Sequence, residues 1–208
     1  MKIIKFLSAI CATSLIFTSA AFAGPNLDDE TWLSFRGEIV FPADITGIGS
    51  SGDVRGAISP GMRVGVLHGV NMNLIVEGEG FYNSIDLHVN GVKLATAQNF
   101  GISAGAQWRF LPRNVVSPYV GAGGEGVFTS FHDINESLIT SNIDSEVAFG
   151  GYVSAGCDLF TTRAWALNIE SRYTQIYSVD MRRTDTGAAV GNYDPSHFSI
   201  IAGVRLRF

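Results

Sequence analysis

The sequence predicts an all-β protein, an eight-stranded antiparallel barrel that crosses a membrane with its strands. The chain of 208 residues is 46% hydrophobic, only 16% charged and contains 24 glycines. Beyond the first two dozen residues, its longest stretch without a charged side chain runs from Leu94 to Trp108. A spanning helix needs about 20 mostly apolar residues, so this stretch is too short. Eight segments instead alternate apolar and polar residues with a period of two, which indicates strands.

The first 23 residues have the layout of a signal peptide. Lys2 and Lys5 precede an apolar run, and Ala21 and Ala23 stand at the −3 and −1 positions of a cleavage site before Gly24. We therefore expect a signal peptide over residues 1–23, a short periplasmic segment over residues 24–30 and the barrel over residues 31–208. A lipoprotein box at Cys11 is the alternative, but bulky Ile10 precedes that cysteine, where a small residue is needed.

The first four predicted strands each have one apolar face. They cover residues 31–41, 58–67, 73–82 and 99–110. Their apolar faces carry, in order, Leu33, Phe35, Ile39 and Phe41; Met62, Val64 and Val66; Leu74, Val76 and Tyr82; and Phe100, Ile102, Trp108 and Phe110. Each opposite face carries Ser, Gly or charged residues. Strict alternation over such lengths is typical of half-buried strands rather than helices.

The last four predicted strands repeat this alternation. They cover residues 118–128, 147–159, 165–173 and 197–208. Their apolar faces carry, in order, Val120, Ala122 and Phe128; Phe149, Val153, Cys157 and Leu159; Leu167, Ile169 and Tyr173; and Phe198, Ile200, Val204, Leu206 and Phe208. A tilted strand needs roughly 9–11 residues to cross the hydrocarbon, a length that the eight segments approach or meet.

Charged residues occupy only one face of these strands. They are six arginines and six carboxylates: Arg36, Arg63, Arg109, Arg172, Arg205 and Arg207 with Glu38, Glu77, Glu79, Glu125, Asp158 and Glu170. Arginine and carboxylate suit buried bidentate pairing. The charge-free face must meet another apolar medium, and lipid is the economical choice. We therefore expect these twelve side chains to pair inside the barrel and close its lumen.

The connections alternate between long and short. The long ones cover about residues 42–57, 83–98, 129–146 and 174–196, whereas the short ones cover 68–72, 111–117 and 160–164. Short turns at one rim and long loops at the other are typical of transmembrane β-barrels. We expect the loops 42–57 and 174–196 to carry partner recognition, because function on such scaffolds lies mainly in loops.

Two stretches resemble a known family. The ending His-Phe-Ser-Ile-Ile-Ala-Gly-Val-Arg-Leu-Arg-Phe at 197–208 is similar to the C-terminal strand of bacterial outer-membrane proteins. Ser-Pro-Tyr-Val-Gly-Ala-Gly-Gly at 117–124 resembles a strand of small eight-stranded barrels of the OmpA/OmpX-like and opacity-protein superfamily. The resemblance implies a Gram-negative outer-membrane location, contact with outer-membrane lipid and lipopolysaccharide, and assembly by the barrel-assembly machinery with Phe208 as signal.

Several motifs suggest other functions and are disfavoured. Residues 121–126 match a dinucleotide fingerprint, but no helix pattern follows the glycines, so we expect no cofactor. Glu77 and Glu79 resemble an acid/base pair, yet six arginines face the same side, and ion pairing is the simpler interpretation. The acidic balance, net −5, offers no footprint for nucleic acid, and no cluster of metal ligands is evident.

The predicted function is structural or surface-interacting, adhesin- or antigen-like, without enzymatic activity. One alternative is a narrow pore. The other is a lipid A-modifying enzyme, since lipid A deacylases have a similar size. Gln175 and Tyr177 stand where those enzymes carry their His-x-Ser step, and neither supplies an activated hydroxyl nucleophile. Ser196 with His197, or His132 with Asp133, are the remaining loop-borne candidates for such a site.

Overall fold

The computed structural model describes residues 27–42, 54–89, 92–134, 146–177, 179–182 and 189–208. The signal peptide expected at residues 1–23 lies outside them. The strands of the described part are β1 (Thr31–Pro42), β2 (Val54–Gly56), β3 (Ser59–Gly69), β4 (Leu74–Val89), β5 (Val92–Arg109), β6 (Val116–His132), β7 (Glu146–Phe160), β8 (Trp165–Ile176), β9 (Val179–Arg182), β10 (Ala189–Tyr193) and β11 (His197–Arg207). None of the described residues belongs to a helix long and apolar enough to cross a membrane.

Eight of these strands form a closed antiparallel barrel, in the order β1-β3-β4-β5-β6-β7-β8-β11. The ring closes between the first and last of them, where Phe35 pairs with Val204 and Ile39 with Ile200. Strands β9 and β10 pair only with each other, and β2 adds to β4. The predicted eight-stranded antiparallel barrel is therefore confirmed.

Side chains alternate between the outside and the inside of the wall. Outside, Ile102 exposes 74% of its surface and Phe149 exposes 67%, whereas inside Arg63 and Arg172 expose none. A water-soluble protein shows the opposite arrangement. An apolar exterior around a charged interior fits a barrel whose outer surface meets lipid.

One rim of the barrel, the turn rim, carries the short connections at residues 70–73, 110–115 and 161–164, as predicted. The opposite rim is the loop rim, where the structure differs from the expected long loop over residues 83–98. There, β4 continues to Val89 and β5 begins at Val92, so the two strands form one extended hairpin. Strand β6 likewise continues to His132.

The sequence does not predict this extension, because the polarity of the alternation inverts within β4. Up to Tyr82, the outward residues of β4 are apolar or glycine, but the next outward residues are Ser84, Asp86 and His88. Over the same stretch the inward residues become apolar, with Ile85 and Leu87 each only 1% exposed. Beyond the membrane the outer face meets water, so the ordinary inside-apolar pattern returns.

The other long connections lie partly outside the described residues, which omit 43–53, 135–145, 178 and 183–188. Inside the barrel, apolar clusters lie at both rims. At the loop rim the cluster is Val40, Ile85, Leu87, Leu94, Ala95, Ala97 and Phe131. At the turn rim it is Leu27, Trp32, Leu67, Ile75, Phe160 and Ala166. A third cluster of Phe81, Val127, Ala148 and Ile176 lies between the charged interior and the loop rim.

Candidate functional site: the barrel interior and the loop-rim surface

Eleven of the twelve charged residues predicted to face the lumen lie inside the barrel, and none of them exposes more than 5% of its surface. They are Arg36, Glu38, Arg63, Glu77, Glu79, Arg109, Glu125, Asp158, Glu170, Arg172 and Arg205. The twelfth, Arg207, is exposed and forms an ion pair with Glu30 at the turn rim. It pairs in register with Trp32, where the apolar cluster already fills the barrel.

Three arginines and five glutamates form the central cluster. Arg172 lies 2.8 Å from Glu170, 3.1 Å from Glu79 and 3.6 Å from Glu77. Arg36 pairs with Glu79 and lies 2.8 Å from Glu170.

Arg63 completes the central cluster. It pairs with Glu38 and lies 3.8 Å from Glu79 and 3.6 Å from Glu125. Each of the three arginines thus meets at least two carboxylates, so the cluster is a network rather than a set of separate pairs.

A second group, the turn-rim cluster, is built around Asp158. Arg109 and Arg205 both pair with its carboxylate, the latter at 2.6 Å, and Asn168 donates a further hydrogen bond at 2.7 Å. The Tyr119 hydroxyl joins the two clusters. It accepts from Arg205 Nη2 at 3.3 Å and donates to Glu170 Oε2 at 2.7 Å.

Aromatic side chains fill the interior between the charges. The Arg172 guanidinium lies 4.0 Å from the centre of the Tyr152 ring, and the Tyr152 hydroxyl donates to Glu77 at 2.6 Å. Glycine opposite this ring makes the arrangement possible, because a Cβ at Gly105 would lie 2.2 Å from the Tyr152 hydroxyl. The glycines at 121–126 lie within β6, which continues as a strand.

The turn-rim end of the interior is sealed by the N-terminal segment. Leu27 is 2% exposed and packs in the turn-rim apolar cluster. The space left between Leu27 and the Arg109–Asp158–Arg205 group is about 10 Å³, roughly the room for one water molecule. Gly69 permits this path, since a Cβ there would lie 1.7 Å from the Leu27 carbonyl oxygen.

The interior contains five arginines against six carboxylates once Arg207 is placed outside. Glu125 is the least well held of the acids. Within the described residues its carboxylate accepts no hydrogen bond, and Arg63 Nη1 at 3.6 Å is its ionic partner. No interior role was predicted for His197, yet its Nε2 lies 3.8 Å from Glu38 Oε1. The inward position of His197 in the alternation of β11 was the sequence feature that could have indicated this interior role.

The loop-borne residues considered for catalysis have other partners. Ser196 Oγ accepts from Ile176 N at 2.9 Å and from Gln175 Nε2 at 3.1 Å, and it donates to Ile176 O. His197 Nδ1 lies 2.9 Å from the Pro195 carbonyl oxygen rather than beside this hydroxyl. Ser196 therefore fastens the end of β8 to the loop before β11.

The outer surface at the loop rim carries a second polar group. Lys93 Nζ lies 3.0 Å from Asp86 and 3.8 Å from Asp133, and Thr96 Oγ1 donates to Asp86 at 2.8 Å. The hydrogen bonds from Lys93 and then from Thr96 hold the pKa of the Asp86 carboxyl below its ordinary value. His132 Nε2 lies 3.1 Å from the Ser130 hydroxyl on the same face.

Phe208 lies at the turn rim with its ring outward and 70% exposed. Its backbone N–H donates to the Thr31 carbonyl at 3.3 Å, which extends the pairing between β11 and β1. The terminal aromatic side chain thus packs little against the rest of the protein.

Solved structures of other barrels resemble this fold. OprG from Pseudomonas aeruginosa is 13% identical, with 89% of this chain and 98% of that chain covered and a TM-score of 0.71. Neisserial surface protein A is 17% identical, with 86% and 97% covered and a TM-score of 0.56. Ail, the attachment invasion locus protein of Yersinia pestis, is 14% identical, with 87% and 99% covered and a TM-score of 0.53.

No curated protein matches the chain in sequence. The model of one family, described as outer membrane protein beta-barrel domain, matches residues 9–208. That match spans nearly the whole chain and agrees with the closed barrel and its apolar exterior. The turn rim of such barrels faces the periplasm and the loop rim faces the cell exterior. The chain belongs to the outer membrane protein β-barrel domain family and is a protein of the bacterial outer membrane.

Proposed function

We propose that this protein has a structural and surface-interaction role, adhesin- or antigen-like, which it exerts from the loop rim. The closed interior carries the proposal. Apolar clusters occupy both ends of the barrel, and the charged residues between them pair across its width. An eight-stranded barrel encloses only enough room for side chains. Because the described residues fill the interior in this way, we infer that function lies on the outer surface.

The loop rim offers an extensive surface for such contacts. Strands β4, β5 and β6 continue past the apolar band and present polar side chains outward, including Asp86, Lys93 and His132. Two similar barrels are named for the cell surface and for attachment, and Ail has been crystallised with the heparin analogue sucrose octasulfate. In the membrane, outer-membrane lipid and lipopolysaccharide are the proposed neighbours, and the barrel-assembly machinery is the proposed assembly partner through Phe208.

Two measurements on the wild-type protein test this role. Cells that display the protein and cells that lack it are compared for binding to matrix proteins and complement factors, and the purified barrel is placed in planar bilayers. We expect binding that depends on the protein and no steady conductance. Stable ion-selective conductance would support a pore instead. Release of fatty acid from lipid A by the purified protein would support the enzyme.

A further inference from the structure

His197 is the first residue of β11 and lies at the loop rim, where the barrel closes against β1. It pairs in register with Pro42 of β1 on one side and with Thr174 of β8 on the other. Its side chain is on the inner face of the wall, and the residue is only 3% exposed. The connection from β8 therefore enters the barrel wall at a buried imidazole.

Each ring nitrogen of His197 faces an acceptor. Nδ1 lies 2.9 Å from the carbonyl oxygen of Pro195, which can only accept, so Nδ1 carries a hydrogen. Nε2 lies 3.8 Å from Glu38 Oε1, and neither of these two atoms has a hydrogen-bond partner among the described residues. The nearby hydroxyls of Thr174 and Ser199 do not donate to Nε2 either. A neutral ring would turn the lone pair of Nε2 toward a carboxylate, whereas an imidazolium turns an N–H toward it.

The charges in this part of the interior also call for a cation. Within the described residues, Arg63 is the arginine partner of both Glu38 and Glu125. Over the whole interior, five arginines face six carboxylates. An imidazolium at His197 supplies the sixth positive charge. It does so beside Glu38 Oε1, whereas Arg63 binds the other oxygen, Oε2.

The other charged side chains on the elements around His197 have partners of their own. Arg172 on β8 donates to two interior glutamates. Asp194, in the connection before β11, accepts a hydrogen bond from a backbone N–H at 2.9 Å. On β1 and β3, Glu38 and Arg63 form the ion pair already described. Glu38 is therefore the acid that a charged His197 meets.

We propose that His197 is an imidazolium cation in the folded barrel and acts as a pH-dependent latch between β1 and the connection that precedes β11. One N–H faces Glu38 on β1, and the other donates to the Pro195 carbonyl. The adjacent Ser196 hydroxyl accepts from Ile176 N at 2.9 Å, so the latch also reaches the end of β8. As a means of regulating contacts at the loop rim, the latch rests on the surface role proposed above.

The latch requires both an ionised Glu38 and a hydrogen on Nε2 of His197. It is therefore closed near neutral pH, and it is lost as the pH rises and the imidazolium gives up its proton. Loss of that proton leaves Arg63 as the one cation shared by Glu38 and Glu125. The end of the connection before β11 is then released from β1.

Nitrogen NMR of the barrel with isotope-labelled histidine tests the charge directly. At neutral pH we expect both ring nitrogens of His197 to carry a hydrogen, and His197→Gln assigns these signals by removing them. A hydrogen on Nδ1 alone would overturn the inference. This measurement uses the wild-type protein, so it decides the matter even when a variant does not fold.

Glu38→Gln and Glu125→Gln form a matched pair, since each removes one interior carboxylate and only Glu38 faces His197. Heat-modifiable migration checks that both fold. At neutral pH, Nε2 should lose its hydrogen in Glu38→Gln and keep it in Glu125→Gln. Hydrogen exchange at Ile176 N–H should be about tenfold faster in Glu38→Gln than in wild type, because the Ser196 contact is loosened.

This exchange ratio should fall toward one as the pH rises, because wild type then loses the latch as well. A ratio that does not change with pH, or an Nε2 that stays protonated in Glu38→Gln, would overturn the latch. Attachment assays on displaying cells separate this inference from the surface role. A doubly protonated His197 without attachment supports the latch and contradicts the surface role. Attachment with a singly protonated His197 contradicts the latch alone.

Discussion

The Tyr119 hydroxyl lies 2.7 Å from Glu170 Oε2, and this hydrogen bond joins the two charged clusters inside the barrel. On the other side the same hydroxyl accepts from Arg205 Nη2 and from Asn168 Nδ2. A single phenol oxygen therefore connects the acids of the central cluster to the arginines around Asp158. Two side-chain amides also link the clusters: Asn168 bonds both Arg36 and Asp158, and Gln107 bonds both Glu77 and Arg205.

Tyr119→Phe should lower the free energy of unfolding by about 1–3 kcal/mol, because it leaves buried partners without their hydrogen bond. Urea unfolding of the refolded barrel in lipid vesicles measures the change. Tyr177→Phe is the control. Tyr177 is 80% exposed, so this variant should unfold as wild type does. Equal stability of both variants would show that the phenol oxygen does not couple the clusters.

Asp158→Asn should destabilise the barrel far more than Glu125→Gln. The sequence alone gave no reason to rank the two acids, but the structure separates them. Asp158 neutralises both Arg109 and Arg205, so its loss leaves buried charges unpaired and costs about 3–5 kcal/mol. Glu125 is the surplus acid with one ionic partner at 3.6 Å, so Glu125→Gln should change stability little. Unfolding in urea compares the two amide variants, and the opposite ranking would contradict the network described here.

Deleting Phe208 should reduce the folded barrel in cells while leaving refolding of the purified protein nearly normal. The residue is 70% exposed on the surface of the protein, so packing against the rest of the chain explains little of any effect. The amount of heat-modifiable protein in outer membranes is compared with refolding yield in vitro. Phe110→Ser removes another aromatic ring at the turn rim, 54% exposed, and should not lower assembly in cells as much. Equal losses in cells and in vitro would indicate a stability effect rather than an assembly signal.

Lys93→Met should raise the pKa of Asp86 toward its ordinary value of 3.8, because the hydrogen bond from Lys93 is the main cause of the lowered pKa. In wild type the folded pKa lies below the unfolded one. The stabilisation that ionised Asp86 contributes is therefore complete above its ordinary pKa and is lost as the pH falls through its pKa in the folded protein. Carbon NMR titration of the Asp86 carboxyl in both proteins checks the direction. An unchanged titration midpoint would remove Lys93 as the cause.

The barrel could be predicted from sequence because its outer face must avoid charge along every membrane-crossing strand. The same alternation placed Glu79 and Arg172 inside, where they meet at 3.1 Å. It failed for Arg207, whose environment depends on its register partner Trp32. The alternation also gave no prediction for Leu27. This residue seals the barrel but lies in a segment that is not a strand, so no periodic pattern surrounds it. Which acid meets which arginine depends on distances across the barrel, and these have no counterpart in local sequence.

The reversal of polarity within β4 has a consequence for how deeply the protein sits in the bilayer. Between Tyr82 and Ser84 the outer face turns polar, and between Asn83 and Ile85 the inner face turns apolar. Sinking the strand by a few residues would carry Asp86 toward hydrocarbon, where a charged side chain on the lipid face destabilises a barrel more the deeper it lies. Raising it would bring Tyr82 and Phe100 into water. The change from apolar to polar between Tyr82 and Ser84 therefore fixes how deeply the strand sits in the bilayer.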